Sequence, residues 1–178
     1  MKKFLVKIVL ILLLGTKVYA ENLKFIKIID LDKPWGSSFI NDSEMIVTEK
    51  SGKIKIINIK NGNVTKVDHN LNFVESGQGG LLDIIYKDNY LWISYTENRG
   101  NSETSTSVAR GKFNKNKIDF KNIFQANPPI DSGFHFGSRL AIKDNYIFVS
   151  VGERGQGMIA QDPTQHPGSI VRIHLDGS

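Results

Sequence analysis

The sequence predicts an all-β protein, organised as a β-propeller of repeated units. Three observations carry this. Short runs rich in β-branched and aromatic residues recur after residue 20, each bounded by turn clusters. No segment after Ala20 holds a helical period over a dozen residues. Three stretches also share one pattern: a glycine, an apolar strand, an aspartate turn and a second strand. Their aspartates, Asp42, Asp88 and Asp144, are spaced 46 and 56 residues apart. Four-stranded propeller blades repeat at about 40–50 residues, with insertions in loops.

The elements follow in order. In the first unit, Gly36 opens a strand that passes Asp42 to Met45-Ile46-Val47-Thr48, then residues 53–57. Asn41-Asp42-Ser43, Lys50-Ser51-Gly52 and Asn61-Gly62-Asn63 are its turns. In the second, Gly80 leads past Asp88-Asn89 to Leu91-Trp92-Ile93-Ser94-Tyr95, a strand ending near residues 97–100. Residues 107–113 and 118–120 read as its outer pair. In the third, Gly137 leads past Asp144-Asn145 to Tyr146-Ile147-Phe148-Val149-Ser150, a strand ending at residues 152–155. Residues 169–174 read as its outer strand. Three units do not close a propeller, which usually takes four to eight. The expectation is therefore residues 21–178 as the N-terminal part of an incomplete domain.

The first twenty residues read as a signal peptide. Lys2, Lys3 and Lys7 give a basic start, residues 8–14 an apolar stretch, and Val18-Tyr19-Ala20 a small-residue cleavage pattern. A retained anchor is the alternative, opposed by an apolar run shorter than the roughly 20 residues that span a bilayer. The expected location is periplasmic or secreted, with no stable membrane anchor after cleavage. The formal charge of +5 drops to +1 beyond Ala20, because four lysines and no acid precede it. A nucleic-acid partner thus loses its main support. With no cysteine, disulfides, thiol nucleophiles and thiolate metal sites are excluded.

Two segments hold the chemically able residues: Gly77-Gln78-Gly79-Gly80-Leu81-Leu82-Asp83 and His135-Phe136-Gly137-Ser138-Arg139-Leu140. Each is followed by Lys-Asp-Asn-Tyr, at Lys87 and at Lys143, so Gln78 and His135 occupy matching places in two units. Loops at one rim of a propeller share a site. A neutral histidine there can take a proton from an alcohol; the alternative is a loop histidine bonded to backbone. Gln78 offers a donor and an acceptor to a bound cofactor, or is a turn residue among glycines. Glu153 and Arg154 fall where the third unit's second strand ends, on the possible rim of that site. For Arg154 the residues alone favour an exposed ion pair. His69, His166 and His174 show no metal-ligand spacing.

Beyond these, Pro34-Trp35-Gly36, Val47-Thr48-Glu49-Lys50-Ser51-Gly52, Val108-Ala109-Arg110-Gly111, Gly152-Glu153-Arg154-Gly155, Ala160-Gln161-Asp162 and Ile170-Val171-Arg172-Ile173 stand in order with the two glycine segments. Together they resemble the pyrroloquinoline-quinone (PQQ)-dependent glucose/sorbosone dehydrogenase family, over residues 30–178. The resemblance implies a six-bladed propeller, periplasmic and calcium-dependent, with PQQ over the channel mouth. It implies His135 as the general base for the C1 hydroxyl of an aldose and as a cofactor contact, Gln78 as a cofactor contact, and an external electron acceptor. Glu153 stands where the family usually has aspartate, which leaves its role open. The family's Ca²⁺ ligands and its basic cofactor contacts fall in later blades, so no metal ligand is assigned in this chain. The 178 residues alone are expected to bind cofactor poorly and to be inactive. Two other classes compete: a metal-dependent propeller lactonase, for which Trp35, Gln78 and His135 are a poor ligand set, and a non-catalytic binding propeller.

Overall fold

The computed structural model describes residues 24–178; the proposed signal segment lies outside the described residues. Within the described residues twelve strands form three sheets that follow one another along the chain. The first sheet is a meander of β1 (Pro34–Asn41), β2 (Glu44–Glu49), β3 (Lys53–Asn58) and β4 (Val64–His69). The second holds β5 (Leu81–Lys87), β6 (Tyr90–Gly100), β7 (Glu103–Lys112) and β9 (Phe120–Gln125). The third holds β10 (Gly137–Lys143), β11 (Tyr146–Val151) and β12 (Ile170–His174). The remaining two-residue strand, β8 (Lys117–Ile118), pairs in parallel with β4. These sheets are blades of a β-propeller, and β1, β5 and β10 pack side by side as their inner strands. Among the described residues the helical content is one 3₁₀ turn, Gly157–Gln161. No described helix is long and apolar enough to cross a membrane.

Each shared aspartate sits in a two-residue hairpin loop: Asn41 pairs with Glu44, Lys87 with Tyr90 and Lys143 with Tyr146. The loops reach this geometry differently. Asp88 and Asn89 both take positive φ, 50° and 64°, the primed turn that matches strand twist. In the first blade, the Asn41 carboxamide oxygen accepts from the Ser43 and Glu44 amides instead.

Burial follows position. The middle blade is covered on both faces, so seven consecutive residues of β6, from Leu91, are buried. Leu91, Ile93 and Tyr95 face the first blade's Ile46, Ile54 and Ile56. Trp92 joins Leu140, Ile147 and Val149 of the third blade. β11 has one such neighbour and alternates buried and half-buried residues.

Two assignments from sequence shift. Residues 118–120 are not one strand: Ile118 is fully buried in the cluster shared by the first two blades, and Phe120 begins β9. The exposed Asp119, paired with Lys117 at 2.8 Å, separates them. β11 stops at Val151, and residues 152–155 form a loop rather than the strand's end.

The blades are joined near the axis by a repeated hydroxyl. Every inner strand carries an irregularity in register, between Pro34 and Ser37, Leu81 and Ile84, and Gly137 and Leu140. The second strand reaches it with a side chain. Thr48 Oγ1 accepts from the Gly36 amide at 2.9 Å and donates to the Leu82 carbonyl of the next blade at 2.5 Å. Ser94 Oγ accepts from the Asp83 amide at 2.9 Å and donates to the Ser138 carbonyl at 2.6 Å. Ser150 Oγ accepts from the Arg139 amide at 3.0 Å. Gly36 is glycine because a Cβ there would stand 2.6 Å from the Leu82 carbonyl oxygen.

Ser94→Ala leaves a buried amide and a buried carbonyl without their partner. Thermal and urea unfolding are expected to show a loss of about 2 kcal/mol, against a change within about 0.5 kcal/mol for the exposed turn variant Ser43→Ala.

Candidate functional site

Two loops meet at the rim where β5 and β10 begin. The first carries Gln78, the second His135. The Gln78 amide donates to the Gly133 carbonyl at 2.7 Å. Its side-chain oxygen accepts from the His135 amide at 2.9 Å. The two residues are thus bonded to each other, although the strand registers match His135 with Gly79 rather than with Gln78, and Gln78 keeps its side-chain NH₂ free of protein partners among the described residues.

The His135 loop is held at several backbone groups. The Phe136 carbonyl accepts from Thr106 Oγ1 at 2.7 Å and from the Gly152 amide at 3.1 Å. Gly152 is required here, because a Cβ would collide with the His135 carbonyl oxygen. His135 itself takes φ +49°, a left-handed conformation that costs a non-glycine residue about 1 kcal/mol or more. The bonds on either side offset that strain.

Glu153 reaches the imidazole. Its Oε1 bonds His135 Nδ1 and accepts from the Gly155 amide at 3.1 Å. The bond from His135 holds the Glu153 carboxyl below its usual range, so it is ionised at neutral pH and acts as acceptor. In the neutral ring Nδ1 then carries the proton, which makes Nε2 the unprotonated nitrogen. The ring is half exposed. Glu153 therefore orients the histidine, a role the residue pattern left open.

Arg154 is not an exposed ion pair. It is 2 % exposed, and its guanidinium bonds backbone and hydroxyl oxygens instead. Burial draws its pKa down to about 10, so it stays charged at neutral pH.

His135, Phe136 and Gly137 line a cleft of about 370 Å³ with Trp35, Lys50, Gln78 and Leu82. Trp35 is half-buried and Phe136 buried, giving aromatic walls. The Arg139 guanidinium lies 5.1 Å from the Trp35 ring centroid and 3.1 Å from the buried Asp83 carboxylate. Asp83 Oδ2 also accepts from the Leu140 amide at 2.8 Å. Inner strands of all three blades are thereby tied beside the cleft.

Lys50 is the cleft residue that the sequence pattern did not single out. Its ammonium donates to the Gly77 carbonyl and has no acid partner among the described residues. The available signal was its place two residues after the bridging Thr48, where Thr96 and Gly152 follow Ser94 and Ser150. The other described histidines lie apart. His69 Nε2 meets the Gly52 carbonyl, His166 Nδ1 the Asn127 amide, and His174 packs on Tyr146. Among the described residues no three acids or histidines converge as a metal site.

Comparison with known proteins places this arrangement. The family model for glucose/sorbosone dehydrogenase matches residues 31–178. The aldose sugar dehydrogenase YliI of Escherichia coli (strain K12) is 30% identical over 157 residues, covering 83% of this chain and 42% of that protein. The crystal structure of the soluble aldose sugar dehydrogenase from Escherichia coli, in its apo form, superposes with a TM-score of 0.78 at 30% identity, over 83% of this chain and 46% of that one. The PQQ-bound aldose sugar dehydrogenase of Streptomyces coelicolor superposes with a TM-score of 0.74 over 83% of this chain and 46% of that one. At 22% identity it shares the fold. The chain spans less than half the length of the curated relatives it matches.

The Glu153–His135 bond has a pH signature. A carboxyl whose pKa is lowered on folding stabilises the fold above its usual value of 4.5, and that contribution fades as pH falls through the lowered value. Melting curves of the wild type and Glu153→Gln are therefore expected to differ at neutral pH and to converge at acid pH. A difference that persists unchanged into the acid range contradicts the pairing.

Proposed function

The chain belongs to the glucose/sorbosone dehydrogenase family, and we propose that its full-length gene product is a quinoprotein oxidising the C1 hydroxyl of aldose sugars to lactones. His135 is the general base. The observation that supports this most is the Glu153–His135 bond, which in the neutral ring leaves Nε2 as the acceptor nitrogen on a half-exposed ring in an aromatic cleft.

The residues present fit a planar quinone bearing carboxylates. Trp35 and Phe136 offer flat apolar contact, the Gln78 NH₂ a donor for a ring oxygen, and Lys50 a cation for a carboxylate. When bound, PQQ supplies the two-electron acceptor for the hydride from C1. In the proposed reaction the sugar's C1 hydroxyl gives its proton to His135 Nε2 while the C1 carbon becomes a carbonyl. The Glu153 carboxylate stabilises the imidazolium formed. The Gln78 side-chain oxygen, on the His135 amide, keeps the base facing the cleft while its NH₂ meets the cofactor. The electrons would pass on to an external acceptor. Ca²⁺ and the remaining carboxylate contacts are proposed to reside outside these 178 residues, so this chain alone is expected to bind quinone weakly and to be inactive. Residues 1–20 support a periplasmic or secreted location.

The test is dye reduction by the full-length gene product with PQQ, Ca²⁺ and a panel of aldoses. Activity is expected to need both additions and to fall by about 10²–10⁴-fold in His135→Ala, the range for loss of a general base. Absence of both activity and quinone binding in the wild type would favour a sugar- or protein-binding propeller instead.

A further inference from the structure

Arg154 is a buried cation without a counter-ion. None of the ion pairs among the described residues includes it. Desolvating a charge costs several kcal/mol unless other contacts offset it. Here the offset is spread over one loop and its neighbour. Nε donates to the Phe134 carbonyl at 2.9 Å. Nη1 donates to the Thr104 carbonyl at 2.9 Å, and Nη2 to Thr104 Oγ1 at 2.7 Å and to the Ser132 carbonyl. The guanidinium carbon lies 3.7 Å from the centroid of the Phe136 ring, which lines the cleft. Arg154 itself holds φ +59°, a second left-handed residue in the same site.

The geometry of these contacts has one focus. Ser132, Phe134 and Phe136 are alternate residues of the loop that carries His135, and Arg154 touches all three. From the other side, Gln78 holds the Gly133 carbonyl and the His135 amide. Arg154 also follows Glu153 directly, so one short segment carries both the carboxylate on the imidazole and the fork on the loop backbone.

We propose that Arg154 is the positioning residue of His135. It touches neither sugar nor quinone; it fixes the loop so that Nδ1 meets Glu153 and Nε2 stays bare toward the cleft. A planar fork is needed, because four oxygens in different directions must be met from one rigid group. Lysine keeps the charge but donates from a single nitrogen, so it cannot reach oxygens spread around a plane. The proposal rests on the base assignment above, and its first readout is chosen to need neither quinone nor sugar.

The experiment is ring-nitrogen NMR of the full-length protein, with His135 assigned by its loss in His135→Ala. In the wild type, neutral His135 is expected to be the tautomer protonated at Nδ1. In Arg154→Lys and Arg154→Met it is expected to shift toward the tautomer protonated at Nε2, which free histidine prefers. Tyr95→Phe serves as a comparator: it removes a buried hydroxyl bond to Asn122 away from the loop, lowers stability and is expected to keep the wild-type tautomer. If the wild type is active, kcat in Arg154→Lys is expected to fall by about 100-fold with KM within about threefold. A wild-type tautomer in both arginine variants overturns the proposal, and so does an equal shift in Tyr95→Phe. An inactive wild type that shows the tautomer shift leaves the positioning role standing and removes only the dehydrogenase reading.

Discussion

One hydroxyl per blade holds the inner strands in step. Thr48 and Ser94 each take the amide of their own blade's irregular inner strand and give their proton to the carbonyl of the next. Apolar packing between sheets is strong but nearly non-directional; these bonds fix registration at the axis. They also set where each inner strand begins, and the loops entering β5 and β10 carry Gln78 and His135. The site is a product of how neighbouring blades are pinned.

The same economy appears in the loop around His135. A left-handed histidine is unfavourable alone, and its neighbours supply the compensation. Gln78 bonds its amide, the Gly152 amide bonds the Phe136 carbonyl, and Arg154 bonds the carbonyls of Ser132 and Phe134. The strain is thereby tied to the residues that aim the ring. Glu153 then decides which nitrogen is free. The outcome is an imidazole whose tautomer and direction are set before any ligand arrives, as the proposed proton abstraction requires.

Much of this was legible in the residues. Most strands of the three blades follow from β-branched runs and turn clusters, β4 excepted, and the Asp42, Asp88 and Asp144 repeat gives the hairpins. The pairing of Gln78 with His135 as equivalent positions is off by one residue: Leu81 pairs with Tyr95 as Gly137 pairs with Val151, which matches His135 with Gly79, although the fold does bring Gln78 and His135 together. Other features were hidden for physical reasons. Arg154 reads as a surface ion pair because its neighbour Glu153 is acidic; only the fold shows that Glu153 turns to His135 while Arg154 turns inward. Residues 118–120 read as one strand because both ends are apolar, but Ile118 pairs with β4 of the first blade and Phe120 with β7 of the second, both packing into the cluster the two blades share. Thr48, Ser94 and Ser150 carry the repeat's 46- and 56-residue spacing, yet a hydroxyl in a strand gives no sign of bridging blades until the irregular inner strands are seen.

The most direct test of this account is a crystal structure of the full-length gene product with PQQ. The account expects the quinone in the cleft of Trp35, Gln78 and His135, with the Gln78 side-chain oxygen still on the His135 amide and Glu153 still on Nδ1. A quinone bound elsewhere, or a His135 ring released from Glu153 in the bound state, would contradict it.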